Sequence, residues 1–124
     1  MSNTAIGGMS PQGLPFSKAY RAGDFVYVSG QVAFDEAGKL VEGGIEPQTR
    51  QVMRNIEAVL AEAGCTLDDV VKTTVWLQDA RDFALFNKVY SEFFPGDAPA
   101  RSTVRAELMI DAKIEIEAVA YKTE

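Results

Sequence analysis

The chain has 124 residues and a formal net charge of −6, with 47% hydrophobic and 24% charged residues. These values are typical of a globular protein that buries its own core, and one domain over residues 1–124 is predicted. Lys and Arg number 12 against 18 Asp and Glu, so nucleic acid, whose binding requires phosphate neutralisation, is not expected as the main partner. Without a bilayer-length apolar run or a signal-peptide pattern, no membrane partner and a cytoplasmic location are expected.

The residue types that are absent narrow the possible chemistry. The sequence has no histidine, which excludes a His-based triad, and Cys65 as the only cysteine excludes an internal disulfide. With one cysteine and no histidine, a zinc site is not expected. Any catalysis must therefore use carboxylates, arginine, hydroxyl groups and backbone dipoles.

The first third of the chain predicts a leader and a hairpin. Residues 1–13 are rich in Gly and Ser and predict a loose leader. Two strands are predicted on either side of a turn at Gly23-Asp24. The second, over 25–34, is apolar on both faces, which predicts a central strand covered on both sides.

Two helices separated by a strand are predicted next. The segment 46–64 has Pro47 at the first helical position, one apolar face and Gly64 as a stop signal. A strand rich in β-branched residues follows over 67–79. A second helix is predicted from about Asp79, and its aromatic stripe is interpreted as core: Phe83, Phe86, Tyr90 and Phe93.

Two strands are predicted at the end, over 102–108 and 113–121, and the first is expected to be buried. The resulting fold class is α+β: a single sheet with both helices on one face. The opposite face would carry apolar side chains that include Val119 and Tyr121, and a monomer seldom leaves such a surface in water. A homo-oligomer is therefore predicted.

Arg101 lies at the head of the first of these strands, just before residue 102 and directly after Pro99-Ala100. Two interpretations remain open. It could be a surface arginine in an ion pair with one of the acidic residues, or its planar guanidinium could bind a carboxylate ligand through two hydrogen bonds.

Glu115 and Glu117 share one face of the last strand. They are either solvated strand carboxylates or, if that face is covered by another subunit, partly desolvated groups of which one becomes a base. The stretch Ser29-Gly30 interrupts an apolar strand and indicates either a bulge or the close approach of a ligand or another backbone.

Seven motifs in this order resemble the Rid family, the reactive intermediate deaminases that are also called YjgF-like proteins. The resemblance covers about Leu14 to Tyr121 and is carried by LPFSKAY, VYVSGQV, QTRQVMRNIEAVLAEAG, VVKTTVWLQD, DFALFNKVYSEFF, PARSTV and KIEIEAVA. The resemblance implies a chorismate-mutase-like α+β fold in a homotrimer, with active clefts between neighbouring subunits. It also implies hydrolysis of 2-imino acids and their enamine forms to 2-keto acids and ammonia, without a cofactor or a metal.

The resemblance also implies site residues. Arg101 matches the arginine that binds the substrate carboxylate, and Glu115 matches the glutamate that orients or activates water. The residues that match the lining of the cleft are Ser29, Gly30, Asn87 and Thr103.

The chain departs from the family pattern at three places. Phe16 stands where tyrosine is common in imine deaminases, and Thr103 where the best-known ones have cysteine. The stretch between Val104 and Lys113 lacks the usual Leu-Pro. The alternatives are a deaminase for another small carboxylate, such as an aminomuconate-like acid, and a trimeric protein that binds or senses small carboxylates. RNA cleavage is the weakest alternative, because the chain is acidic and has no histidine.

Overall fold

The fold is an α+β arrangement of six strands and two helices, described from a computed structural model over residues 3–10 and 13–123. Single 3-10 turns, Leu67–Asp69 and Ala80–Asp82, precede the fourth strand and the second helix. The elements in chain order are β1 Thr4–Met9, β2 Ser17–Ala22, β3 Phe25–Gln31, α1 Ile45–Glu62, β4 Val70–Leu77, α2 Phe83–Phe93, β5 Ala100–Arg105 and β6 Ile114–Tyr121.

The six strands form a single mixed sheet in the order β1-β2-β3-β6-β4-β5. All neighbours are antiparallel except β4 and β5, which run parallel. The prediction of one sheet with two helices is confirmed, and β3 lies inside the sheet between β2 and β6 as expected.

Both helices contribute to one core on one face of the sheet. Val52, Ile56 and Leu60 of α1 and Phe86 of α2 are fully buried against it. In β6 the alternation is as predicted: Ile114, Ile116, Ala118 and Ala120 are buried, and the residues between them face the other side. We call the side that carries the helices the helix face and the opposite side the open face.

The segment predicted as a loose leader contains an edge strand. β1 pairs antiparallel with β2, with Thr4 opposite Arg21 and Ile6 opposite Ala19. Gly7 and Gly8, which suggested a loop, have φ values of 73° and 70° and form an irregularity in the pairing between Ile6 and Met9. Residues 1, 2, 11 and 12 of the predicted leader lie outside the described residues.

Several predicted boundaries were also wrong. α1 begins at Ile45 after Gly44, so Pro47 is its third residue and not its first. β3 ends at Gln31, and α2 begins at Phe83 after the 3-10 turn that Asp79 caps.

β5 occupies Ala100–Arg105 at the edge of the sheet, and its residues are exposed or half-buried, contrary to the expected buried strand. The prediction failed because the burial of a strand depends on whether it has neighbours on both sides, and this is set by pairing with residues far away in the chain. Among the helices of the described residues, none combines the length and apolar character needed to cross a membrane.

Candidate active site

Arg101 lies on the helix face of the sheet, against the aromatic side of α2. Its partner in the parallel pairing is Thr73 of β4, a buried residue on the same face. The guanidinium carbon lies 5.0 Å from the ring centroid of Tyr90, 5.1 Å from that of Phe86 and 5.8 Å from that of Phe83. We call these three rings the aromatic platform. Contacts at such distances are attractive cation–π interactions.

No carboxylate of residues 3–10 or 13–123 lies within 4.0 Å of the Arg101 guanidinium. Within the same residues, its N–H groups make no hydrogen bond, whereas the guanidinium of Arg21 donates to three carbonyl oxygens. An intrachain ion pair, one of the two interpretations left open for Arg101, is thus not formed among the described residues. The N–H groups of the Arg101 guanidinium are therefore available to a ligand or to another chain.

Tyr90 anchors the platform to the sheet. Its hydroxyl group lies 2.7 Å from the Thr73 Oγ1 in a buried hydrogen bond. Burial raises the pKa of the Tyr90 phenol, although the hydrogen bond to Thr73 and the positive charge of Arg101 act in the opposite direction. A phenol with a raised pKa remains protonated at neutral pH, so Tyr90 keeps its bond to Thr73 without adding a charge under Arg101.

Glu115 lies on the open face of the sheet. It is paired with Trp76 of β4, and both side chains are half-buried. Burial, with a smaller effect from the neighbouring charge of Glu117, raises the pKa of the Glu115 carboxyl group. A carboxylate that is partly desolvated in this way is a stronger proton acceptor than a fully solvated one.

Gly30 makes room for this carboxylate. A Cβ atom at position 30 would collide with Oε2 of Glu115. Gly30 also falls in the irregularity of the β3–β6 pairing between Val28 and Gln31. The bulge interpretation of the Ser29-Gly30 stretch is therefore confirmed. Within the chain, the group that approaches Gly30 closely is the Glu115 side chain and not another backbone.

Ser29 and Phe16 lie close to the same bulge. The Ser29 hydroxyl group donates a hydrogen bond of 2.6 Å to the carbonyl oxygen of Ser17, the residue that follows Phe16. Phe16 and Gly30 line one groove beside α1. We call the set Phe16, Ser29, Gly30 and Glu115 the glutamate group.

Asn87 and Thr103 belong with Arg101 instead. Thr103 is two residues beyond Arg101 on β5, and therefore points to the same side of the sheet. Asn87 lies on α2, one turn from both Phe83 and Tyr90. We call the set Asn87, Arg101 and Thr103 the arginine group.

The two groups are separated within one chain. Arg101 is beside Thr73 and Glu115 is beside Trp76, three residues further along β4, so the two side chains point to opposite faces. Two strand spacings and three residue rises place their Cα atoms about 14 Å apart. A single copy of the chain therefore cannot present Arg101 and Glu115 to one small substrate.

The open face carries a cluster of exposed aromatic side chains. Phe25, Tyr27 and Tyr121 are 40%, 47% and 47% exposed, and the ring of Phe25 contacts the other two. Tyr20, opposite Tyr27 on β2, is also exposed. Monomeric proteins seldom expose a contiguous apolar surface of this kind to water. The cluster therefore marks a surface that interacts with another molecule.

Residues 10–122 match the family model described as Endoribonuclease L-PSP. The chain belongs to this family. It is the Rid family that the sequence motifs resemble.

Relatives in the Rid family include proteins named as deaminases. A RutC family protein of Pyrococcus abyssi is 50% identical over 110 residues, which are 87% of each chain. The 2-iminobutanoate/2-iminopropanoate deaminase of Mus musculus is 41% identical over 110 residues, 87% of this chain and 82% of that protein. The crystal structure of Escherichia coli TdcF with bound serine has a TM-score of 0.84 at 32% identity, covering 96% of this chain and 94% of that one.

The aromatic platform was missed in the sequence. The core interpretation is confirmed for Phe86 and Tyr90 and was wrong for Phe83, which is 46% exposed. What the sequence did not show is that all three rings lie under Arg101. The helical spacing of the aromatic residues is the same whether their rings pack in the core or hold a guanidinium, so it could not distinguish these two roles. Only the pairing of β5 beside β4 brings Arg101 to α2 in this Rid protein.

Proposed function

We propose that this protein hydrolyses 2-imino acids and their enamine forms to 2-keto acids and ammonia, in sites shared by two copies of the chain within a homotrimer. The substrates would include 2-aminoacrylate, 2-iminobutanoate and 2-iminopropanoate. Two observations carry the proposal: Arg101 has no acidic partner among the described residues, and half-buried Glu115 lies on the opposite face of the sheet. The name of the mouse relative supports the reaction, and the serine in TdcF supports a ligand with a carboxylate.

In the proposed site, the Arg101 guanidinium binds the substrate carboxylate through two parallel hydrogen bonds. This places the imine carbon beside the glutamate group of the neighbouring copy. Thr103 and Asn87 border the bound acid from the side of Arg101, and backbone groups at Ser29 and Thr103 orient it. Much of the rate gain would come from holding water and an electrophilic carbon together.

Glu115 acts as the base in this scheme. Its carboxylate accepts a proton from water while the water oxygen bonds to the imine carbon and the C=N π electrons move to nitrogen. When the imine nitrogen is protonated, this addition gives a neutral carbinolamine, and Glu115 returns its proton to the amino nitrogen. The C–N bond then breaks to release ammonia, and the hydroxyl proton passes to the Glu115 carboxylate as the keto group forms. One water is consumed for each keto acid and each ammonia produced.

The reaction can be tested by generating 2-iminobutanoate in place with threonine dehydratase and following the loss of imine with and without this protein. We expect loss faster than the spontaneous rate, and no acceleration by Arg101→Ala at low imine concentration. If the protein binds 2-oxobutanoate but does not accelerate imine loss, it is a small-carboxylate-binding protein instead.

The identity of Phe16 favours this second function, the binding of small carboxylates without hydrolysis. Phe16 lacks the phenolic hydroxyl group that is common at its position among the imine deaminases that the motifs resemble. We predict that Phe16→Tyr leaves the imine hydrolysis rate equal or higher. Phe16 is exposed, so the added hydroxyl group reaches solvent or the site without desolvation. The measurement is kcat/KM with 2-iminobutanoate as the substrate. Loss of activity in Phe16→Tyr would indicate a less polar substrate.

The assembly gives a separate prediction. Light scattering at micromolar concentration should give three times the chain mass of 13.5 kDa, because the aromatic cluster of the open face requires a cover and the resemblance to the Rid family implies a homotrimer. Tyr27→Arg places a charge in this cluster and should lower the mass towards that of one chain. Ala61→Arg adds the same charge at an exposed position of α1 and should leave the trimer intact. A parent mass of 13.5 kDa would reject the shared site.

A further inference from the structure

We infer that the aromatic platform of Phe83, Phe86 and Tyr90 positions the Arg101 guanidinium for a carboxylate ligand. This inference rests on the proposed function, since it concerns the residue that would bind the substrate. It adds three positioning residues on α2, none of which has to touch the substrate.

Arg101 has to be held in place by something. It lies on an edge strand, and a free arginine side chain samples many rotamers that point its guanidinium away from a site. An acidic neighbour would fix it, but would also occupy the N–H groups needed by a carboxylate ligand. Aromatic rings attract the guanidinium without accepting its in-plane hydrogen bonds, so the donors remain free.

The platform is rigid where it contacts the core. Phe86 is fully buried, Tyr90 is nearly so, and their ring centroids lie 5.2 Å apart. The hydroxyl group of Tyr90 is bonded to Thr73, which is also the β4 partner of Arg101. The ring under the guanidinium and the backbone that carries Arg101 are therefore anchored at the same point of β4.

The platform also limits how a ligand approaches. Rings of α2 occupy one side of the guanidinium, so the N–H edge is the surface left for an anion. A planar carboxylate matches that edge with two parallel hydrogen bonds. Loss of a ring should therefore weaken ligand binding and raise KM, while kcat, which depends on Glu115, stays nearly unchanged.

Phe83 offers the cleanest test, because it is 46% exposed and its replacement spares the core. Phe83→Leu keeps an apolar side chain and removes the ring, whereas Phe83→Tyr keeps the ring. For Phe83→Leu we expect the Kd for the keto acid 2-oxobutanoate and the KM for the imino acid 2-iminobutanoate to rise about three- to tenfold, with kcat within about twofold. Phe83→Tyr should match the parent, and both variants should keep the parent unfolding midpoint.

A parental Kd in Phe83→Leu would overturn the positioning role. So would equal losses in Phe83→Leu and Phe83→Tyr accompanied by a lower unfolding midpoint, since these would indicate a structural effect. The NMR signal of the Arg101 Nε–H group provides a readout that needs no ligand. We expect this signal to shift and broaden in Phe83→Leu and to be preserved in Phe83→Tyr.

The same NMR measurement separates the two proposals. If the parent neither binds 2-oxobutanoate nor hydrolyses imine, the proposed function fails, and the Arg101 signal alone decides whether the platform holds the guanidinium. If the parent binds and hydrolyses, but the Arg101 signal and the Kd are unchanged in Phe83→Leu, the proposed function stands and the positioning role is rejected.

Discussion

Glu115→Gln should lower kcat for imine hydrolysis by about 10²–10⁴-fold, the usual contribution of one positioned general base. The amide keeps the shape of the side chain beside Gly30 but cannot accept a proton from water. Binding of the keto acid 2-oxobutanoate should persist, because Arg101 and not Glu115 holds the carboxylate. The measurement is single-turnover hydrolysis with 2-iminobutanoate together with a binding titration of the keto acid.

Glu117→Gln is the matched control for this prediction. Glu117 is on the same strand and the same face but is exposed, so its replacement should leave kcat at neutral pH near the parent value. An unchanged kcat in Glu115→Gln would show that Glu115 has only a structural role.

The pH dependence of the parent should reflect the raised pKa of Glu115. A general base works in its ionised form, so the rate should fall as the pH drops through the pKa of this group. Burial places that midpoint above the ordinary carboxyl value of 4.5. In Glu117→Gln the midpoint should move down, because the neighbouring negative charge is removed. These profiles are measured as kcat/KM against pH.

Arg101→Ala should raise the KM for imino acids by about 10- to 150-fold for each charge-assisted hydrogen bond lost, which corresponds to about 1.5–3 kcal/mol per bond. Arg101→Lys should give a smaller increase, since the ammonium keeps the charge but not the planar pair of donors. The unfolding midpoint should fall only modestly in either variant, because Arg101 makes no ion pair with the described residues and its stabilising contacts there are those with the aromatic platform.

Arg105→Ala is the control for charge alone, because Arg105 ends the same strand and is exposed. It should leave the KM near the parent value. Tight binding of the keto acid that survives in Arg101→Ala, or a variant that unfolds, would identify Arg101 as a structural residue.

Local patterns in the sequence predicted the parts of the fold that depend on local periodicity. The alternation of Ile114, Ile116, Ala118 and Ala120 with the residues between them placed the core face of β6 correctly. β1 escaped prediction because Gly7 and Gly8 have the composition of a loop, and only the pairing with β2 makes this segment a strand.

The division of the site could not be predicted from residue spacing. The motifs predicted that Arg101 and Glu115 belong to one kind of site, but not that they lie on opposite faces of the sheet. Their faces follow from the register of β5 and β6 on β4. That register is set by contacts between residues far apart in the chain. The platform under Arg101 was hidden for the same reason, since helical spacing gives identical patterns for a core stripe and for rings that hold a guanidinium.

The most direct test of the shared site is to mix chains that carry Arg101→Ala with chains that carry Glu115→Gln, each of which should be nearly inactive alone at low imine concentration. The two chains are refolded together in equal amounts, and mixed trimers are verified by native mass spectrometry. If each site takes Arg101 from one copy and Glu115 from the next, about a quarter of the sites in random trimers contain both intact residues. We therefore predict recovery of about a quarter of the parent activity. Verified mixed trimers without recovered activity would contradict a site shared between copies.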